Sequence, residues 1–123
     1  MTEPGPERPA LVVIANPHPE LQTWQEHLLE LPELCPHTHN PGPGSTLGII
    51  YTAGPWFLEL YALEAYLTGF VAHPVVRDNE LLAQTVALEA AAVLGVPVEV
   101  SLDLKIVGLK QRQRVRVRAE SAR

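Results

Sequence analysis

Cysteine, charge and long apolar runs are all scarce in this chain of 123 residues. The one cysteine, Cys35, has no partner for an internal disulfide, so nothing indicates an oxidising compartment. No apolar run reaches the roughly 18 residues of a membrane-spanning helix. The acidic, proline-containing N-terminus also lacks the basic and apolar regions of a signal peptide. We therefore expect a cytoplasmic protein without a membrane partner.

The sequence also lacks the signatures of the easily recognised enzyme classes. It contains no Gly-x-Ser-x-Gly, His-Glu-x-x-His, Gly-x-Gly-x-x-Gly or Cys-x-x-Cys motif. We accordingly predict no catalytic residue and no cofactor. Charged residues make up only 19% of the chain, which indicates that a partner covers part of the surface of this small domain. The excess of arginine over lysine and the twelve prolines indicate a high-GC, bacterial genome.

The hydrophobic pattern predicts one domain over residues 10–119, in which strands alternate with helices. Residues 1–9 are predicted to be a disordered lead-in, 32–46 a long loop rich in proline and glycine, and 120–123 a tail. The predicted strands cover residues 10–15, 47–52, 70–76 and 96–106, and the predicted helices residues 19–31, 55–68 and 80–94. This order favours an α/β (or α+β) fold with a mixed three-to-five-stranded sheet, largely parallel, and three helices.

The C-terminal segment predicts an antiparallel β-hairpin. Apolar and polar residues alternate before and after Gly108-Leu109, which suits a two-residue turn. A turn there places Val100 opposite Val117, Leu102 opposite Val115, Asp103 opposite Arg114, Glu99 opposite Arg118 and Lys105 opposite Arg112. Both faces match in this one register, apart from the last pair of like charges.

A first candidate site follows from the expected parallel sheet. Ligands bind such sheets beyond the carboxyl ends of the strands, where the N-termini of the following helices favour anions. The residues at these positions are Asn16, His18, Thr52, Gly54, Arg77, Asp78 and Asn79. Arg77 is the only basic residue between Arg8 and Lys105, so it is the candidate that would hold a phosphate or carboxylate, with His18 as acid or base. Helix capping explains most of these residues without a ligand.

A second candidate is the nearly all-apolar segment 55–68. A helix that is apolar on every side is buried on every side, either in the core or in a subunit interface. Aromatic residues are enriched in interface cores. The predicted interface residues are Trp56, Phe57, Leu60 and Tyr61.

Two further patterns have a functional and a structural interpretation. Cys35, His37 and His39 are of types that ligate zinc, but alternate positions strain two ligands onto one metal, and we predict no metal site. The arginines at alternate positions of 112–118 suit a phosphate backbone, whereas pairing with Glu99 and Asp103 in the hairpin makes them an ordinary solvated face. No aromatic residue lies between these arginines, which disfavours nucleic acid.

The sequence favours a self-associating, non-catalytic binding or scaffolding module, a homodimer that uses the 55–68 helix or a sheet edge. The alternative is a small enzyme or sensor that binds an anionic metabolite at the strand ends. A further alternative is nucleic-acid binding through the strand face from Arg112 to Arg118.

Overall fold

A computed structural model describes residues 9–121 of the chain. Within this range the elements follow in the order β1 (Val13–Ala15), β2 (Thr23–Glu30), β3 (Thr46–Ala53), β4 (Trp56–Leu58), α1 (Leu60–Thr68), α2 (Asn79–Leu94), β5 (Val98–Lys105) and β6 (Arg112–Ala119). Most of the predicted lead-in and the last two residues of the predicted tail lie outside the described residues.

The main sheet has four strands in the order β2-β3-β5-β6, and every neighbouring pair is antiparallel. β1 and β4 form a separate two-stranded antiparallel ribbon. This is a mixed α+β architecture, with two helices and six strands in the described part of the chain. The expectation of a largely parallel sheet is therefore wrong, because β2 and β3 pair directly and no helix crosses over between them.

One face of the main sheet is buried against α2, which packs on β5 and β6. Its small residues, among them Ala83, Ala87 and Ala90, are fully buried and allow this close approach. The helix begins at the predicted place, where the Asp78 carboxylate accepts a hydrogen bond from the Leu81 amide at 2.7 Å. It ends at Gly95, whose φ of 70° is a left-handed conformation that favours glycine.

In the part of the chain that the structure describes, no helix covers the opposite face of the main sheet. Alternation and the strand pairing place four residues of each strand there. These are Trp24, Glu26, Leu28 and Glu30 of β2, Thr46, Gly48, Ile50 and Thr52 of β3, Glu99, Ser101, Asp103 and Lys105 of β5, and Arg112, Arg114, Arg116 and Arg118 of β6. The face therefore runs from an acidic and apolar strand to a strand of arginines.

The C-terminal hairpin is confirmed in its predicted register. Val100 pairs with Val117, and Asp103 pairs with Arg114. Regular pairing ends at Lys105 and Arg112, so residues 106–111 form a longer connection than the predicted two-residue turn. Within this connection Gly108 has a φ of 85°.

The predicted helix over residues 19–31 is wrong, because residues 23–30 form β2. Leu21, Trp24 and Leu28, which the helical spacing places on one buried stripe, are 58%, 62% and 71% exposed. The inward positions of β2 are Thr23, Gln25, His27 and Leu29, mostly polar side chains that give no strand signal. Pairing with β3 along all eight residues overrides the helical spacing.

Two other predicted elements change. Residues 55–68 do not form one helix, since Trp56–Leu58 pairs with β1 and α1 starts only after Glu59, whose carboxylate accepts from the Ala62 amide at 2.5 Å. Residues 70–76 form turns rather than a strand. There the His73 ring accepts hydrogen bonds from the amides of Val75 and Val76 at 3.1 and 2.9 Å.

The first predicted strand is shorter and less buried than expected. It was expected over residues 10–15 with both faces covered, but β1 is three residues long, and Val12 and Ile14 are about half exposed. The strand over 47–52 is confirmed as β3, extended by one residue at each end. Neither described helix has the length and apolar character needed to cross a membrane.

Candidate functional site

The residues predicted at the strand ends fall into separate places. Asn16 is buried, and its side chain donates to the Gly54 carbonyl at 2.8 Å and accepts from the His18 amide at 2.9 Å. The Asn16 amide also donates to the Pro55 carbonyl at 2.8 Å. These contacts explain Asn16 and Gly54 as the residues that hold the turn before β4 against the end of β1.

His18 and Thr52 lie near the surface and away from the cavity described below. The His18 ring contacts the carboxylate of Glu20 at 3.1 Å, and both side chains are about two thirds exposed. Thr52 lies on the uncovered face of β3, opposite Trp24. Neither residue lines the cavity that Arg77 borders.

Arg77, Asp78 and Asn79 line a cavity of about 520 Å³ at the start of α2. The segment from Leu34 to Asn40 also lines it, so the long proline- and glycine-rich loop folds against this cavity. Gln113 of β6 closes the third side, and it accepts a hydrogen bond from the Asn79 side chain at 2.9 Å. The volume is sufficient for a small metabolite.

The loop wall is held by a compact set of backbone hydrogen bonds. The amides of Leu34 and Cys35 both donate to the Asn40 carbonyl, at 2.9 and 3.0 Å, and the His39 amide donates to the Cys35 carbonyl at 2.9 Å. The Leu34 carbonyl accepts from the Ala72 amide at 2.8 Å, which binds this wall to the turns before α2. The loop is therefore an ordered structure at the cavity, and Cys35 has a fixed position in it.

Two groups give the cavity its electrostatic character. Hydrogen bonds from Thr38, followed by a backbone hydrogen bond from His37 and the charge of Arg77, hold the pKa of the Cys35 thiol below its ordinary value. Arg77 makes no ion pair with any described residue, whereas each of the four arginines of β6 makes one. The cavity thus combines a thiol whose pKa is lowered with an exposed cationic side chain, Arg77.

Sequence reasoning identified Arg77 and Cys35 separately but did not place them in one site. The only signal in the sequence was the length of the loop, because loops longer than about 12 residues are usually functional or disordered. Among residues 9–121, no three side chains of His, Cys, Asp or Glu are grouped to hold a metal ion. His39 instead contacts Glu33 at 3.0 Å.

Three of the four predicted interface residues present apolar surface to solvent. Trp56, Leu60 and Tyr61 are 40%, 61% and 86% exposed, whereas Phe57 is partly buried and packs against the core. On the same helix Leu63, Tyr66 and Leu67 are buried. α1 is therefore half core and half surface, rather than apolar and covered on all sides.

The arginines of β6 are paired with carboxylates of the same chain. Arg112 and Arg114 approach the Asp103 carboxylate at 3.0 and 3.9 Å, Arg116 approaches Glu99 at 3.1 Å, and Arg118 approaches Glu120 at 2.8 Å. Hydrogen bonding and charge from Arg112 lower the pKa of Asp103. All four guanidinium groups stay more than half exposed.

The two outer strands of the main sheet are chemically opposite. β2 and β6 are both eight residues long, and each lacks a neighbouring strand on one side in the described part of the chain. On the uncovered face of β2, Glu26 and Glu30 alternate with two exposed apolar side chains, Trp24 and Leu28, while β6 presents four arginines. Free strand edges of this length are templates for pairing with another chain.

No protein-family model matches the chain, and no curated protein matches it significantly.

Proposed function

We propose that the protein is a self-associating, non-catalytic module that assembles through the edges of its main sheet. The observation that carries the proposal is the opposite charge of the two free edges, β2 and β6. Pairing of like edges would bring arginines against arginines, or glutamates against glutamates. Pairing of β2 with β6 of a second copy brings opposite charges together, which selects a head-to-tail contact.

The strand directions support the same contact. β2 and β6 are the first and last strands of an alternating antiparallel sheet, so a second copy placed in the same orientation continues the alternation. Without an offset, Glu26 lies beside Arg118 of the next copy and Glu30 beside Arg114. Trp24 and Leu28, which are mostly exposed, then lie over the junction. A dimer is the smallest such assembly, and repetition of the contact gives a ring where the rotation between copies closes and an open filament where it does not.

Charge reversal on either edge tests the proposal. Sedimentation of the purified protein should show an assembly that weakens as salt is added, because the edge charges are exposed. The double variants E26K/E30K and R114E/R118E should each be monomeric. Their equimolar mixture should assemble again, since each variant then supplies the edge that the other has lost. The matched control is E20K/E33K, which changes the net charge by as much as E26K/E30K but lies off the sheet.

A monodisperse monomer at high protein concentration would overturn the proposal. So would an assembly that both edge variants leave unchanged. The single cysteine, which leaves no internal disulfide, supports a cytoplasmic location for the assembly. No aromatic residue that could stack on a base lies between the β6 arginines, which disfavours the alternative in which they bind nucleic acid.

A second candidate function is binding of a small anionic metabolite in the cavity beside α2. The specific observation in its favour is Arg77, which borders the cavity without an ion pair to any described residue. Thermal unfolding of the dialysed protein with nucleotides, sugar phosphates and carboxylates should show a rise in Tm with one of them. R77A should abolish that rise, whereas H18A, which is outside the cavity, should retain it. A Tm that no anion changes would remove this candidate.

A further inference from the structure

His27 is the one residue of β2 that is classed with the core, at 8% exposed. Every other residue of that strand is at least partly exposed, including the inward-pointing Thr23, Gln25 and Leu29. A strand on the edge of a sheet is usually held by apolar side chains that point into the core. Here the one apolar side chain on the inward side, Leu29, is only partly buried against the core, and the most buried side chain is an imidazole, a group that changes charge near neutral pH.

The imidazole ends a chain of hydrogen bonds that joins three strands. The Leu58 amide of β4 donates to the Tyr51 hydroxyl oxygen of β3 at 3.0 Å. The same hydroxyl lies 3.1 Å from Nε2 of His27, and the two rings are stacked with centroids 5.6 Å apart. No buried side-chain nitrogen or oxygen among the described residues lacks a partner.

This geometry favours one protonation state of His27. The Tyr51 oxygen accepts from the Leu58 amide, and Nε2 of His27 lies within reach of its hydroxyl proton. The arrangement that uses this proton in a hydrogen bond has Nε2 as the acceptor and the ring as the neutral Nδ1–H tautomer. Protonation of the ring makes Nε2 a donor, removes the acceptor of the Tyr51 proton and puts a charge in a mostly buried position.

Among residues 9–121, no carboxylate forms an ion pair with His27, and the histidines that have one are His18 and His39. Burial is the single cause that lowers the pKa of His27, and burial likewise raises the pKa of Tyr51. β4 has no titratable side chain (Trp56–Leu58). On α1, Glu64 lies in the groove beside Leu28–Pro32, and Tyr66 donates to Glu89 of α2. Glu26, the neighbouring acid on β2, is on the opposite face of the sheet.

We propose that His27 is a proton-sensitive latch that holds the edge strand β2 on the sheet, so that acidification releases β2 and the assembly edge with it. The part that concerns assembly rests on the proposed function; the part that concerns β2 does not. The direction follows from linkage. The unfolded strand binds a proton near pH 6.5, and the docked strand binds it only at lower pH. The docked state is therefore favoured above about pH 6.5 and loses stability as the pH falls below it.

The test compares β2 with β5 in one molecule by amide hydrogen exchange. The ratio of their protection cancels the pH dependence of chemical exchange. Between about pH 7.5 and about pH 5 the ratio of β2 to β5 protection should fall several-fold in the native protein. H27Q keeps an acceptor for Tyr51 but cannot titrate, so its ratio should be the same at both pH values. The control H18Q, which removes an exposed histidine, should behave as the native protein does.

Nuclear magnetic resonance of the imidazole nitrogens gives a second readout that needs no variant. It should show His27 as the Nδ1–H tautomer that titrates below 6.5. A constant protection ratio in the native protein, an unchanged pH response in H27Q, or an Nε2–H tautomer would each overturn the latch. Sedimentation at the two pH values separates the proposals. Absence of any assembly at pH 7.5 refutes the proposed function and leaves the exchange ratio to decide the latch.

Discussion

The main sheet contains two hairpins of equal strand length that differ in how they are held. β5 and β6 bury four apolar side chains of β5 under α2 and carry paired charges on the other face. β2, which pairs with β3, buries one histidine and exposes Trp24 and Leu28. The comparison shows that one sheet can combine a strand fixed by its own apolar alternation with a strand fixed almost entirely by its neighbour.

The largest expected effect is the loss of unfolding free energy when a buried leucine of the β5–β6 hairpin is truncated. Leu102 of β5 is 2% exposed in the core, so L102A should lower the free energy of unfolding by about 2–5 kcal/mol. Urea unfolding at neutral pH measures this loss. A loss below about 1 kcal/mol would mean that the core under α2 is much looser than the burial of Leu102 indicates.

A smaller effect is expected at Ser45, where the start of β3 is fastened to the end of β5. Its hydroxyl is buried, donates to the Gly42 carbonyl at 2.7 Å and accepts from the Lys105 amide at 2.9 Å. S45A leaves that amide without its acceptor and should cost about 1–3 kcal/mol in urea unfolding. T46A, at the partly exposed neighbouring position, is the control that should cost less.

The ion pairs on the charged face of the C-terminal hairpin should contribute still less to the free energy of unfolding. This contribution should be lost in acid. The pKa of Asp103 is lowered, so its stabilising effect is present above the ordinary value of about 3.9 and is lost as the pH falls through the lowered value. D103N should therefore be slightly less stable than the native protein at neutral pH. The two proteins should converge in urea unfolding once the pH has fallen through the lowered pKa of Asp103, and a difference that persisted in acid would contradict the ion-pair explanation.

The smallest effect is expected on the exposed side of β2. Leu28 is 71% exposed, so L28A should change the unfolding free energy of the monomeric E26K/E30K protein by no more than about 0.5 kcal/mol. The same substitution in the assembling protein should weaken the assembly, because Leu28 lies over the proposed junction. Equal effects in both backgrounds would place Leu28 in the core of the monomer instead.

The hairpin and α2 could be predicted because their signals are local. Alternation fixes which residues of 98–105 point inward, and the charges of Asp103 and Arg114 agree with that register. Asp78 and Gly95 mark the ends of α2 by capping chemistry that operates over a few residues. The sequence predicts a helix where β2 lies, because Leu21, Trp24, Leu28 and Leu31 match helical spacing. No local pattern of residues indicates that β3 offers a strand edge with which this segment pairs.

The candidate site likewise contains residues that the sequence could group together and residues that it could not. The sequence placed Arg77, Asp78 and Asn79 together before a helix, and they do line one cavity. It could not place Cys35 against Arg77, since 41 residues and three elements separate them along the chain. Asn16 and Gly54, which the sequence groups with the same ligand site, do not line this cavity. They meet through a hydrogen bond that shapes a turn.

By itself the sequence determined the elements whose apolar period and caps lie within one segment: the β5–β6 hairpin with its register, the extent of α2 and the strand β3. Only the tertiary structure decided the antiparallel order of the sheet, the strand character of β2 and the joining of the loop to the start of α2. The physical reason is that strand pairing and cavity walls are contacts between distant segments. Their free energy depends on which partner is available, and no local pattern of residues contains that information.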